Sequence, residues 1–82
     1  MTSPDDFTRA RILVKECLDL PALADTIGDQ EVLVLAGVNS GELIRVVQRC
    51  EEALGRTLND DELTGIDSIA AVAALLSDGR AG

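Results

Sequence analysis

Apolar residues recur at helical spacing in two long stretches of this chain, and only one short segment looks like a strand, so the sequence is confined to a packing of helices. Phe7, Ala10, Leu13, Val14, Cys17 and Leu18 fall on one side of a helix, while Thr8, Arg9, Lys15, Glu16 and Asp19 point away. Leu43, Val46, Val47, Cys50, Ala53 and Leu54 form a second stripe opposite Arg45, Arg49 and Glu52, with Ile44, Gln48 and Glu51 between, in line with Ser40. The strand-like segment is Val32-Leu33-Val34-Leu35, and with no second one to pair with, its backbone groups would go unmatched. The stretch from Leu20 to Asn39, interrupted by Pro21, Gly28 and Gly37, is therefore expected to be a long loop laid over the helices, with one helical turn. A loop of that length in so small a domain usually has a functional reason.

Local punctuation sets the boundaries. Ser3 as N-cap, Pro4 at the first helical position and Asp6 three residues after the cap open the first helix, which is expected to run to about Asp19 and stop before Pro21. The second helix should run from about Ser40 to Leu54 and end at Gly55, a favourable left-handed terminator. Asn59 or Asp60 caps a short turn through Asp61, Glu62 and Leu63, broken by Gly65. The last helix starts at Asp67 or Ser68, buries Ile69, Val72, Ala73 and Leu76, and ends at Gly79, leaving Arg80, Ala81 and Gly82 to fray. The expected fold is all-α, a bundle of three main helices and one short one with a long first loop. It forms a single domain over residues 1–82, with its core at about residues 4–78.

Composition removes several functions. The chain has no His, Trp or Tyr and a single aromatic, Phe7, so histidine-assisted nucleophiles are excluded. No general base and oxyanion site are assembled elsewhere, and no residue cluster has metal-ligand spacing, so neither catalytic nor metal-binding residues are expected. The net charge of -8, from 15 acids against 7 bases, repels nucleic acid and anionic membranes and points to basic partner surfaces, although acidity also serves plain solubility. No segment approaches the ~20 apolar residues of a membrane helix, and Met1-Thr2-Ser3-Pro4-Asp5-Asp6 is the opposite of a signal peptide, so a cytoplasmic monomer is expected. Cys17 and Cys50 read as reduced thiols packed in the core.

The candidate functional residue is Ser40, which stands where the run Val32-Leu33-Val34-Leu35-Ala36-Gly37-Val38-Asn39 gives way to the second helix. A helix N-terminus offers unpaired N–H groups and a positive dipole end, so a phosphodiester on this serine would be well placed. Asn39 and Ser40 are equally good as plain caps, a role worth about 1 kcal/mol in any helical protein. Asp67-Ser68-Ile69 offers a second serine at a helix start, but only 14 residues follow Ser68, too few for the elements that follow Ser40, so it reads as a cap.

Gly37-Val38-Asn39-Ser40, the helix after it, the Gly55-Arg56-Thr57-Leu58 turn, Asp60-Asp61-Glu62-Leu63 and the final Ala/Leu helix together resemble acyl and peptidyl carrier proteins over roughly residues 5 to 78. In that family a glycine, an apolar residue and Asp-Ser-Leu open the second helix, and the serine receives 4'-phosphopantetheine from coenzyme A. The resemblance implies an arm on Ser40, flanked by Asn39 and Gly41, whose thiol carries an acyl or aminoacyl group as a thioester between enzymes. Asn39 stands where the family has Asp, and Gly41 where it has Leu. These departures suggest a specialised polyketide or nonribosomal peptide pathway, and the short termini suggest a free-standing carrier.

The implied partners are a phosphopantetheinyl transferase, a loading ligase or acyltransferase, and a downstream synthase or transferase. The expected docking surface comprises Glu42, Ile44, Arg45, Gln48, Arg49, Glu51 and Glu52 on helix two, with Asp60, Asp61 and Glu62 beyond it. This acidic rim would steer basic enzymes toward Ser40, with the arginines as selectivity elements. Within the helix, Glu42 with Arg45 or Arg49 with Glu52 would otherwise pair at helical spacing. Leu43, Ile44, Val47 and Leu63 are candidates for an acyl-chain cleft, beside their commoner role in core packing. The alternative function is an acidic helical interaction module without a prosthetic group, which would tolerate Ser40→Ala.

Overall fold

The computed structural model describes residues 2–81, with side chains through residue 77. The chain folds into α1 (Pro4–Cys17), a 3-10 turn (Pro21–Asp25), α2 (Ser40–Leu54), α3 (Asp60–Gly65) and α4 (Ile69–Ala81), with no strand among the described residues. Three main helices and one short one are present, as the periodicity predicts. α4 continues through Gly79 to Ala81 instead of ending at Gly79, and Gly82 lies outside the described residues.

Each of the first three α-helices opens on a reciprocal cap. Ser3 Oγ accepts the Asp6 amide at 3.4 Å while Asp6 Oδ2 accepts the Ser3 amide at 2.9 Å, so two of the amides left over at the start of α1 are satisfied at once. Asn39 with Glu42, and Asn59 with Glu62, repeat the device at α2 and α3. At α4 the Ser68 hydroxyl accepts the Ala71 amide at 3.1 Å.

α1 ends at Cys17, two residues before the expected stop, and Leu18 is already extended. The reason lies in α2. Arg45 donates to the Cys17 carbonyl at 3.1 Å, which Pro21, lacking an N–H, could not serve in a longer helix, and the Glu42 carboxylate accepts the Asp19 amide at 2.8 Å. The core is aliphatic. Ala10, Val14, Leu33, Val46, Cys50, Ile69, Val72 and Ala73 are wholly buried, and α1 packs most extensively on α4.

The long first loop is held without a strand. Leu33 is buried, its amide donates to the Asp67 carbonyl at 2.8 Å, and the Ala70 amide donates to the Asp29 carbonyl at 2.9 Å, tying the loop to the junction of α3 and α4. The apolar run is thus a turn in which Leu33 and Val38 face the core while Val34 and Leu35 face solvent. Gly37, at φ +111°, closes this turn in a conformation that side chains resist. On the other side, the Arg11 guanidinium gathers the carbonyls of Ala24 and Ile27 and the carboxylate of Asp29. Arg11 spans α1 and the loop as a five-donor fork.

Replacing Arg11 with Met should leave two carbonyls without their cationic donor. Unfolding in urea should then show a loss of about 2 kcal/mol with little change in slope.

Candidate functional site

The start of α2 is built by a closed circuit of hydrogen bonds. Asn39 adopts extended backbone angles, its side-chain oxygen accepts the Glu42 amide at 2.8 Å, and its carbonyl accepts the Leu43 amide at 3.0 Å. Glu42 turns back, with Oε1 accepting the Asn39 amide at 3.0 Å and Oε2 the Asp19 amide at 2.8 Å. Ser40 is therefore the first residue of a rigidly capped helix, and it is exposed.

The residues present fit a phosphorylated arm. The cap takes up the Glu42 amide, leaving the Ser40 and Gly41 amides at the mouth of a helix about four turns long, where the dipole favours an anion. Beyond its chain neighbours, a Cβ at Gly41 would meet nothing closer than Asn39 Oδ1 at 3.4 Å. Ser68 is unlike Ser40: it is 8% exposed, and its hydroxyl serves the start of α4. When bound, such an arm supplies a thiol on which an acyl group rides as a thioester. At the start of α2 the chain offers an exposed hydroxyl, the Ser40 and Gly41 amides and a capped helix end that such an arm would use.

The described residues form a helical bundle with an exposed serine opening its second long helix. The family model for the phosphopantetheine attachment site matches residues 10–76, and the chain belongs to that family. Comparison with curated proteins and with solved structures finds no match. The chain is a carrier protein with a covalent 4'-phosphopantetheine arm, modified by a phosphopantetheinyl transferase and served by partner enzymes. An interaction module lacking a prosthetic group does not account for that membership.

The expected docking residues separate into several roles. Glu42 does not join an acidic rim: it is 5% exposed, and both carboxylate oxygens face backbone amides. Arg45 pairs with Asp19 at 3.0 Å and Arg49 with Glu16 at 2.9 Å, across to α1 and its exit, in place of the expected pairs within α2. Glu51 is half-buried and accepts the Leu58 amide at 2.9 Å, fastening the turn that leads to α3. Glu62 holds the α3 cap with Asn59 and takes both arms of the Arg56 guanidinium at 2.8 Å. Ile44, Gln48, Glu52, Asp60 and Asp61 remain exposed.

The structure also divides the four residues expected around an acyl cleft. Leu43 and Val47 pack against the core, whereas Ile44 and Leu63 are exposed. A groove bordered by Arg9, Ile12, Glu16, Arg49 and Glu52 runs between α1 and α2 and includes none of the four.

Three features escaped the sequence reading: Glu42 and Glu62 as capping partners, and Arg11 as the clasp of the loop. The first two had a signal in the repeated Asn-x-x-Glu of Asn39-Ser40-Gly41-Glu42 and Asn59-Asp60-Asp61-Glu62. Arg11 had none, because its partners are carbonyls remote in sequence.

Two titrations bear on the site. The Arg56 fork, and then the Asn59 amide, lower the Glu62 carboxyl from 4.5 to about 2. Its contribution to α3 is therefore complete above about 4.5 and is lost as the pH falls through about 2; carboxyl NMR should follow the titration, and α3 amides should lose protection across that window. Burial, and then the neighbouring Cys17, push the Cys50 thiol up to about 11, and burial also raises Cys17. In the native protein at about pH 8 both core thiols should resist alkylation and react only on denaturation, so that the arm's thiol alone labels quickly.

Proposed function

We propose that Ser40 is the attachment residue, and that the arm it bears shuttles an acyl or aminoacyl group as a thioester between the enzymes of a polyketide or nonribosomal peptide-type pathway. The observation that carries the assignment of Ser40 is its exposure at the first position of a capped helix, beside a residue that carries no side chain. Ser68, buried and engaged as a cap, is poorly suited to reach a transferase.

The pathway class rests on Asn39 and Gly41, which set this chain apart from the Asp-Ser-Leu pattern of fatty-acid carriers. Asn39 keeps the cap without adding a charge beside the phosphate, and Gly41 removes a side chain that partners would touch. The partners in this reading are a phosphopantetheinyl transferase, a ligase or acyltransferase that loads the thiol, and a synthase or transferase that unloads it. Nothing in the site calls for the carrier to catalyse any of these steps.

Incubation with coenzyme A and a promiscuous phosphopantetheinyl transferase, followed by intact-protein mass spectrometry, tests the attachment. The native chain and Ser68→Ala should gain one phosphopantetheine and Ser40→Ala none. A gain lost only in Ser68→Ala would move the site to the start of α4.

A further inference from the structure

On the solvent side of α1 four residues stand in one line. Asp5, Arg9, Ile12 and Glu16 follow one another at intervals of four, three and four, so they share a stripe turned away from Ala10, Val14 and Cys17 in the core. All four are exposed, and Ile12, at 54%, is the exposed large aliphatic side chain of the helix. Arg9 enters no salt bridge among the described residues, while Glu16 meets Arg49 at 2.9 Å through Oε1.

Ile12 is a ridge between two grooves. One runs between α1 and α2, with Leu13 and Ala53 as its aliphatic lining and charged residues along its sides; the other lies toward the first loop, beside Phe7. Charge on this face cancels. α1 sets Arg9, Arg11 and Lys15 against Asp5, Asp6 and Glu16, and the first groove adds Arg49 and Glu52. A chain of net charge -8 repels its own copies, so they approach with least opposition through a face that carries no excess. The order of the signs matters as much as their sum. From Arg9 to Glu16 the stripe reads base, aliphatic, acid, and a two-fold axis near Ile12 turns it into acid, aliphatic, base, its own complement. Asp5 then lies opposite position 20, past the end of α1 at Cys17.

We propose that two copies of this chain pair through α1, antiparallel about a two-fold axis near Ile12, with each Arg9 on the Glu16 of the other copy. Each Ile12 ridge then enters the other copy's groove between α1 and α2, against Leu13 and Ala53. The incoming guanidinium joins Arg49 on the Glu16 carboxylate, which has lone pairs for both. A contact confined to the middle of one helix belongs with small, transient interfaces, so pairing depends on concentration. Ser40 is nine residues along α2 from Arg49, roughly 14 Å at 1.5 Å per residue, and stays outside the contact. The inference is therefore independent of which serine bears the arm.

The test is sedimentation velocity of the full chain from about 10 to about 500 μM, over which the mean mass should rise from monomer toward dimer. Ile12→Glu should weaken pairing about tenfold or more, because two aliphatic side chains lose their burial. Arg9→Glu and Glu16→Arg should each weaken it as well, since like charges then face each other across the axis. An equimolar mixture of these two variants should pair again, because every contact between copies then joins opposite signs. Damage to the fold would not be repaired by mixing. All three positions are exposed, so circular dichroism should show wild-type helix content in each variant. A chain still monomeric at about 500 μM, a dimer that Ile12→Glu leaves intact, or a mixture that stays monomeric would each overturn the proposal. So would a monomer in which Ile12→Glu raises the KM for arm transfer, a result that gives this face to the transferase.

Discussion

The rest of the architecture depends on one buried carboxylate. Glu42 bonds the amide of Asn39, one residue before its own helix, and the amide of Asp19, just past the end of another, so a single side chain sets where α2 begins and where α1 lets go. Arg45 completes the joint by taking the Cys17 carbonyl and the Asp19 side chain. The Asn39 and Asp19 amides and the Cys17 carbonyl thereby each gain a charged partner, an interaction stronger than its neutral equivalent. The corner can be buried without leaving polar groups stranded. Ser40 is presented from a fixed point because the corner beneath it is closed.

That arrangement separates two demands that a carrier must meet. The anchor has to stay still so that many enzymes find it in one geometry, while the cargo has to travel. With Ser40 as the proposed anchor, caps and ion pairs below the serine answer the first, and the flexible arm answers the second. The core thiols stay apart from this traffic. Cys17 and Cys50 are buried in an aliphatic interior that favours their protonated form, which keeps them poor nucleophiles toward a passing thioester.

Much of the fold was legible because helical spacing and punctuation agree in this chain. Phe7 to Cys17 and Leu43 to Leu54 carry the period, and Pro4, Gly55 and Asn59 mark ends that the structure keeps. Ser40 could be singled out because a helix start after a Gly-punctuated apolar run is a local pattern. What the sequence could not reveal is how its charges are shared out. Glu42 and Arg45 look like a pair within one helix, yet the carboxylate turns to the Asn39 and Asp19 amides and the guanidinium to the Cys17 carbonyl and Asp19, and only the approach of α1 brings Cys17 and Asp19 within reach. Arg49 leaves Glu52 for Glu16 through the same proximity of α1, which spacing along one helix cannot encode. The apolar run alone does not say which of its residues face inward, and only the turn closed at Gly37 shows Leu33 and Val38 buried with Val34 and Leu35 in solvent.

The first loop is secured to α4 and to the end of α3 through main-chain groups: the Leu33 amide on the Asp67 carbonyl, and the Ala70 amide on the Asp29 carbonyl. Bonds of that kind are indifferent to what the residues carry, so substitutions at Val34 and Leu35 can accumulate without moving the frame that holds them. A loop fastened in part by its backbone can change its exposed surface one residue at a time while the start of α2 stays where it is.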